Sequence, residues 1–227
     1  MNEMTFRAVA IDGPAASGKS TVARLLAERL GLLMVNSGAM YRAVTWQVLQ
    51  EKIDPADIEA VMNCLEKMEL EGGAADGRST IAVNGRVLVT ELRETEVNAA
   101  VSHVATIPGV RDVLVELQRA YLEVTDVVME GRDIGSVVFP DTPYKLYISA
   151  SEKVRAQRRA AEGQTDSVAS RDAQDSSRKT SPLIVAAGAT QIDSSELTIE
   201  QTVNVAEKAL RELGWEDIDE NVKSEES

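Results

Sequence analysis

The spacing of apolar positions changes several times along the chain, and each change marks an element. An apolar run from Phe6 to Ile11 reads as a buried strand; after a glycine-rich break, Val22, Leu25, Leu26 and Leu30 recur at helical spacing. Leu32-Leu33-Met34-Val35 reads as a second strand, broken at Asn36-Ser37-Gly38 before a helix from Ala39 to about Glu51. Asp54-Pro55 opens a helix with Ile58, Val61, Met62 and Leu65 on one face, and with Cys64 and Met68 as packing residues. Between Met68 and Leu92 the period becomes two. Glu69-Leu70-Glu71 and Thr80-Ile81-Ala82-Val83 flank a loop containing Gly72-Gly73 and Asp76-Gly77, and Asn84-Gly85 leads into Val87-Leu88-Val89. Asn-Gly between alternating runs is a hairpin signal, so residues 69–92 are expected to form a small antiparallel insertion, a mobile flap or lesser domain.

Helices are predicted from Glu94 to Ala105 and, after Pro108, from Gly109 to Leu122. Strands are predicted at Val127-Val128-Met129, Lys145-Leu146-Tyr147-Ile148 and Gln191-Ile192-Asp193. The Ser151 to Glu162 segment reads as a helix bearing Arg155, Arg158 and Arg159, and a polar stretch then leads to a short helix from Ser170 to Lys179. Thr198-Ile199-Glu200-Gln201 is a capping box for a final helix with Ile199, Val203, Ala206, Leu210 and Leu213 on one face. Strands alternating with helices predict an α/β fold with a mostly parallel sheet flanked by helices. The predicted organisation is a core of residues 1–68, 93–154 and 179–215, the insertion 69–92, a short helical lid at 155–178 and a disordered acidic tail at 216–227.

The glycine-rich break gives the fold its chemistry. Gly13-Pro14-Ala15-Ala16-Ser17-Gly18-Lys19-Ser20 has the phosphate-loop pattern and stands between a strand and a helix, so a P-loop NTPase fold is expected. Amides of Gly13, Ala15, Ala16, Ser17, Gly18 and Thr21 would wrap the ATP phosphates, Lys19 would reach the β/γ oxygens, and Ser20 would hold Mg²⁺. This loop alone leaves kinases, ATPases and GTPases open, but no guanine-reading Asn-Lys-x-Asp stretch is present. Asp12 either orients a Mg²⁺ water or shapes the turn before Gly13.

Composition narrows the partners. Of 227 residues, 44% are hydrophobic and the net charge is −13, which describes a globular protein that would repel a nucleic-acid polymer. No apolar run is long enough for a membrane span, the N-terminal residues show no signal-like core, and Cys64 is the only cysteine. A cytoplasmic monomer is expected. An anionic ligand then needs a local basic site, and arginines supply it at Arg42, Arg111, Arg132, Arg171 and Arg178. Arg171, Asp175 and Arg178 share one helical face, a spacing that also suits a surface ion-pair ladder.

Taken together, several of these segments resemble the bacterial cytidylate kinases. The matching pieces are Ile11 to Thr21, Ser37-Gly38-Ala39-Met40-Tyr41-Arg42, Glu96 to Arg111 with Ser102, Gly131-Arg132-Asp133-Ile134-Gly135 through Pro140, and Arg171-Asp172 through Asp175 to Arg178. The resemblance spans about residues 5–213 and implies ATP-dependent, Mg²⁺-assisted phosphorylation of CMP or dCMP. It implies that Ser102, Arg111 and Asp133 read cytosine, whose amino donor beside two acceptors asks for an acceptor next to a strong donor. It further implies that Arg42, Arg132 and Arg178 clamp the CMP phosphate, that Arg171 and Asp175 contact the ribose, and that Ser37 and Tyr41 touch the nucleotide. Lys19, Arg132 and Arg178 would be the catalytic cations, and Arg155 and Arg159, with Arg158, would close over ATP. Only eleven residues separate Arg159 from Arg171, a shorter arm than many family members have, and Gln174 stands where a basic residue often occurs. The acceptor oxygen is already anionic, so no base is needed and His103 has no chemical role. Three further readings remain open: a P-loop kinase of another nucleoside monophosphate, a kinase for a small hydroxyl metabolite with Asp133 as base, and a nucleotide-dependent switch without catalysis.

Overall fold

A computed structural model describes residues 6–161 and 183–216. Among the described residues the elements follow in order: β1 (Ala8–Asp12), α1 (Lys19–Leu30), β2 (Leu33–Asn36), α2 (Ser37–Gln50), α3 (Ile58–Leu65), β3 (Leu70–Ala75), β4 (Arg78–Val83) and β5 (Arg86–Val87). They continue as α4 (Thr95–Val104), α5 (Pro108–Ala120), β6 (Val127–Gly131), β7 (Lys145–Ser149), α6 (Glu152–Ala161), β8 (Thr190–Asp193) and α7 (Ile199–Glu212). The strands form one sheet in the order β3-β4-β2-β6-β1-β7-β8, with β5 on β4. The five strands from β2 to β8 in that order run parallel.

Every residue of β1 is buried, because helices cover both faces of the sheet and a parallel strand in its middle has no polar side to show. Val9, Ile11 and Val128 pack with Val22 and Leu26 of α1 and Val203, Ala206 and Leu210 of α7 on one face. Ala8, Ala10, Val127 and Met129 pack with α2, α4 and α5 on the other. The capping box at Thr198 is formed in full. Its helix leads to Trp215, buried against Tyr144 and capped by the Arg7 guanidinium at 4.0 Å.

Three expectations are corrected. The helix after Pro55 begins at Ile58, because the Asp57 carboxylate, not Asp54, accepts the first-turn N–H of Ala60. Gly72 and Gly73 belong to strand β3 instead of a loop: the Tyr121 hydroxyl donates to the Gly73 carbonyl, and a Cβ at Gly72 would lie 2.8 Å from that hydroxyl. Glycine is kept there by a close approach that a propensity reading cannot see.

The third correction concerns the insertion, whose turns at Asp76-Gly77 and Asn84-Gly85 have the positive φ values of tight hairpins. It does not stand apart as a lesser domain. The outer edge of β2 would leave amides of Met34 and Asn36 unpaired, and the hairpin accepts them at the Gly77 carbonyl (3.0 Å) and Ser79 Oγ (3.2 Å). The hairpin thereby continues the main sheet at Met34↔Arg78. The predicted helix from Ser170 to Lys179, most of the lid and the tail beyond 216 lie outside the described residues.

Candidate active site

The carboxyl ends of β1 and β6 lie side by side, with Asp12 in register with Gly131, so the two glycine-containing segments that leave them share one crevice. The first is the phosphate loop. Gly13 is required by a close approach, since a Cβ there would sit 2.1 Å from the Ile148 carbonyl oxygen of the neighbouring β7. Gly18, at φ 88°, is the N-cap of α1 and supplies no capping side chain, which leaves the first amides of the helix to a ligand. The Ser17 hydroxyl is fully buried and makes no hydrogen bond to the described residues. A native interior seldom leaves such a group unmatched unless something else is to meet it.

Lys19 is buried, its ammonium 3.1 Å from the Pro14 carbonyl and 3.9 Å from Glu130 Oε2. Ser20 is exposed, and its hydroxyl donates to Glu130 Oε1 at 2.9 Å. Asp12 is spent differently: its two carboxylate oxygens accept the amides of Ile134 and Gly135, each at 2.8 Å. Burial pushes its pKa up to about 6 against the pull of those two hydrogen bonds, with nearby Asp133 adding to the rise. Asp12 therefore ties the floor of the phosphate loop to the turn that carries Arg132 and Asp133.

On the acceptor side, Arg111 of α5 and Asp133 beyond β6 form a buried ion pair, 3% and 5% exposed. A second Arg111 nitrogen donates to the Ala105 carbonyl at 3.1 Å, and its Nε is buried and makes no hydrogen bond to the described residues. Tyr41 presents its ring 5.4 Å from the same guanidinium. Ser37, at the start of α2, donates to the Glu130 carbonyl at 2.8 Å, and Arg42 one turn later donates to Gly38 and, at 3.4 Å, to Asn98 of α4. Ser102 is half-buried on α4, and Arg132 contacts the carbonyl of Gly131 at 3.4 Å. The lone histidine, His103, is exposed on α4.

The chain matches the family model for cytidylate kinase over residues 9–212. It is 43% identical over 219 residues to the cytidylate kinase of Alkaliphilus metalliredigens, covering 92% of this chain and 96% of that one. The chain belongs to the cytidylate kinase family. It is also 41% identical to the bifunctional pantoate ligase/cytidylate kinase of Synechococcus sp. WH7803, but spans only 44% of that protein's length. Among solved structures, a gluconokinase from Sinorhizobium meliloti covers 98% of both chains at a TM-score of 0.50 with 13% identity, a likeness of fold alone.

Of the residues predicted for the acceptor, the structure brings Arg111, Asp133 and Tyr41 into contact, sets Ser37 on the end of β6 and joins Arg42 to α4, while Ser102 stands on α4 and Arg132 directly follows β6. Arg171, Asp175 and Arg178 lie outside the described residues. Arg155 is placed differently from a lid side chain: it is buried, with its guanidinium on the main-chain oxygens of Ala15 and Ala150. Sequence reasoning missed Glu130. Its signal was a carboxylate closing the apolar Val127-Val128-Met129 run, on the strand next to the one that launches the loop. A hard cation asks for oxygen ligands, and the Ser20 hydroxyl with the adjacent Glu130 carboxylate is a donor set that fits Mg²⁺.

Proposed function

We propose that this chain transfers the γ-phosphoryl group of ATP to the phosphate of CMP or dCMP, giving ADP and CDP or dCDP. An oxygen of the CMP phosphate attacks the γ phosphorus and the bond to the β–γ bridging oxygen breaks, with the two oxygens in line. The attacking oxygen is anionic, so the step needs positioning and neutralisation of charge and no base. Lys19 balances charge on the β and γ phosphates, and Arg42, Arg132 and Arg178 hold the acceptor phosphate. Ser20 and Glu130 would hold Mg²⁺, which would supply positive charge to offset that of the phosphates.

The observation that carries this reading is the buried Arg111–Asp133 pair beside the phosphate loop. A guanidinium has N–H groups beyond those given to Asp133 and Ala105, and a carboxylate has further lone pairs, so the pair offers donors and an acceptor side by side. That matches N3, O2 and the amino group of cytosine, with Ser102 as a further acceptor. Arg171 and Asp175 take the ribose, and Ser37 and Tyr41 complete the contact. We read the enzyme as a cytoplasmic monomer; among the described residues no helix is long and apolar enough to cross a membrane.

A coupled ADP-release assay over CMP, dCMP, UMP, AMP and GMP tests the proposal. CMP and dCMP should be turned over at least about 100-fold more efficiently than UMP, because a uracil would leave two buried polar contacts mismatched. Equal turnover of all five, or ADP release independent of any of them, would refute it.

A further inference from the structure

We propose that Arg155, Arg158 and Ser194 form a brace under the phosphate loop that fixes the direction of its amides, making them positioning residues for the phosphate donor. The proposal rests on the reading of this loop as the ATP site, and it assigns to α6 and to the end of β8 a part in that site.

The contacts converge on the loop's main chain. Arg155 donates to the Ala15 carbonyl at 3.3 Å and is itself held by the Ala150 carbonyl at 2.9 Å. Arg158 donates to the Ser17 carbonyl at 3.1 Å and, through a fork, to Ser194 Oγ at 3.0 Å and the Ser194 carbonyl at 2.9 Å. The Ser194 hydroxyl then donates to the same Ser17 carbonyl at 3.0 Å. Ser194 is 3% exposed and its own amide is fixed on Ser149, so the hydroxyl has little freedom.

A trans peptide group points its carbonyl and the following amide in opposite directions. Holding the carbonyls of Ala15 and Ser17 against α6 therefore turns the amides of Ala16 and Gly18 away from it, toward the open side of the loop. Ala16 has φ 57°, a left-handed conformation that an alanine keeps only where its surroundings hold it. No described residue accepts a hydrogen bond from the amides of Ala16 or Gly18. Arg155 and Arg158 thus both donate to main-chain oxygens beneath the loop.

Ser194 separates the brace from direct contact, because a small neutral side chain under the loop has nothing with which to touch ATP. Titration calorimetry with ATP, inorganic tripolyphosphate and CMP, on wild type and variants, reads the difference. Ser194→Ala should weaken ATP and tripolyphosphate alike by about 3- to 10-fold, the range of one neutral hydrogen bond, and leave CMP unchanged. Arg158→Lys keeps the charge but not the fork, and should cost about 10-fold or more on both polyphosphates. Wild-type affinity for ATP in both variants would overturn the brace, as would an equal loss for ATP and CMP, which marks general loosening. If Ser194→Ala fails to fold, Arg158→Lys decides: retained ATP affinity means that charge at the phosphates, and not the fork, is what matters. A wild-type protein that binds neither ATP nor tripolyphosphate would instead remove the ATP reading itself.

Discussion

On the proposed reading, the two halves of the crevice would recognise phosphate and base by different means. The donor half is framed by main chain, with Lys19 as its buried cation: consecutive amides at the start of α1, a Gly13 that no side chain can replace, and carbonyls tied down from below. The acceptor half is made of side chains from separated elements, meeting at a buried ion pair between residues twenty-two positions apart. A backbone site is specified by a contiguous string of residues and tolerates any nucleotide triphosphate tail. A side-chain site can tell one base from another, and its parts are scattered through the sequence.

The largest break in this comparison should come at the donor half. Lys19→Ala removes the one ammonium buried in the loop, and kcat should fall by about three orders of magnitude with the melting temperature little changed. Steady-state kinetics and a melting curve on the same preparation check this, and near-normal kcat would contradict it. A smaller loss is expected from Glu130→Gln, which keeps an acceptor for Ser20 but removes the charge facing it and Lys19. Losing charge-assisted contacts of this kind should lower kcat by about 10- to 100-fold. Added Mg²⁺ should recover part of it, while the Kd for CMP, measured by calorimetry, stays near wild type.

The join between the halves has a pH signature. Folding raises the Asp12 pKa from 3.8 to about 6, so the folded state holds that proton more tightly than the unfolded chain. The associated stability is fully present below pH 4 and is lost as pH rises from about 4 to about 6. Relative to Asp12→Asn, which cannot titrate, wild type should lose on the order of 2–3 kcal/mol across that window in denaturant unfolding. A flat difference would show that the carboxyl titrates normally. A still finer comparison is possible at Cys64, whose thiol is pushed up by burial and which packs at the edge of the core: Cys64→Ser should cost no more than about 1 kcal/mol and leave kinetics unaltered.

How much of this was readable from residues alone follows the same division. The alternation of strands and helices, the Asp-Gly and Asn-Gly turns and the capping box at Thr198 are local signals, and each appears in the fold where its chemistry demands. The phosphate loop is equally local. What could not be read are tertiary effects: Gly72-Gly73 sits in a strand because Tyr121, some fifty positions on, needs the room, and the insertion joins the sheet because the edge of β2 has amides to satisfy. In the site, Glu130, the amide-binding role of Asp12 and the bracing by Ser194 depend on which strands become neighbours. Arg155 shows the cost of reading a charge without its surroundings, since its guanidinium is used on main-chain oxygens.

The division of labour is tested most directly by Arg111→Met with two substrates. If Arg111 donates to N3 and O2 of cytosine while Asp133 and Ser102 accept from its amino group, the variant should lose kcat/KM for CMP far more than for UMP. The wild-type preference of at least about 100-fold should then collapse to within about 10-fold. The KM for ATP, set by the backbone half, should not move. An equal loss for CMP and UMP would contradict this, placing Arg111 with the phosphate clamp and leaving the base unread by the pair at the centre of the acceptor half.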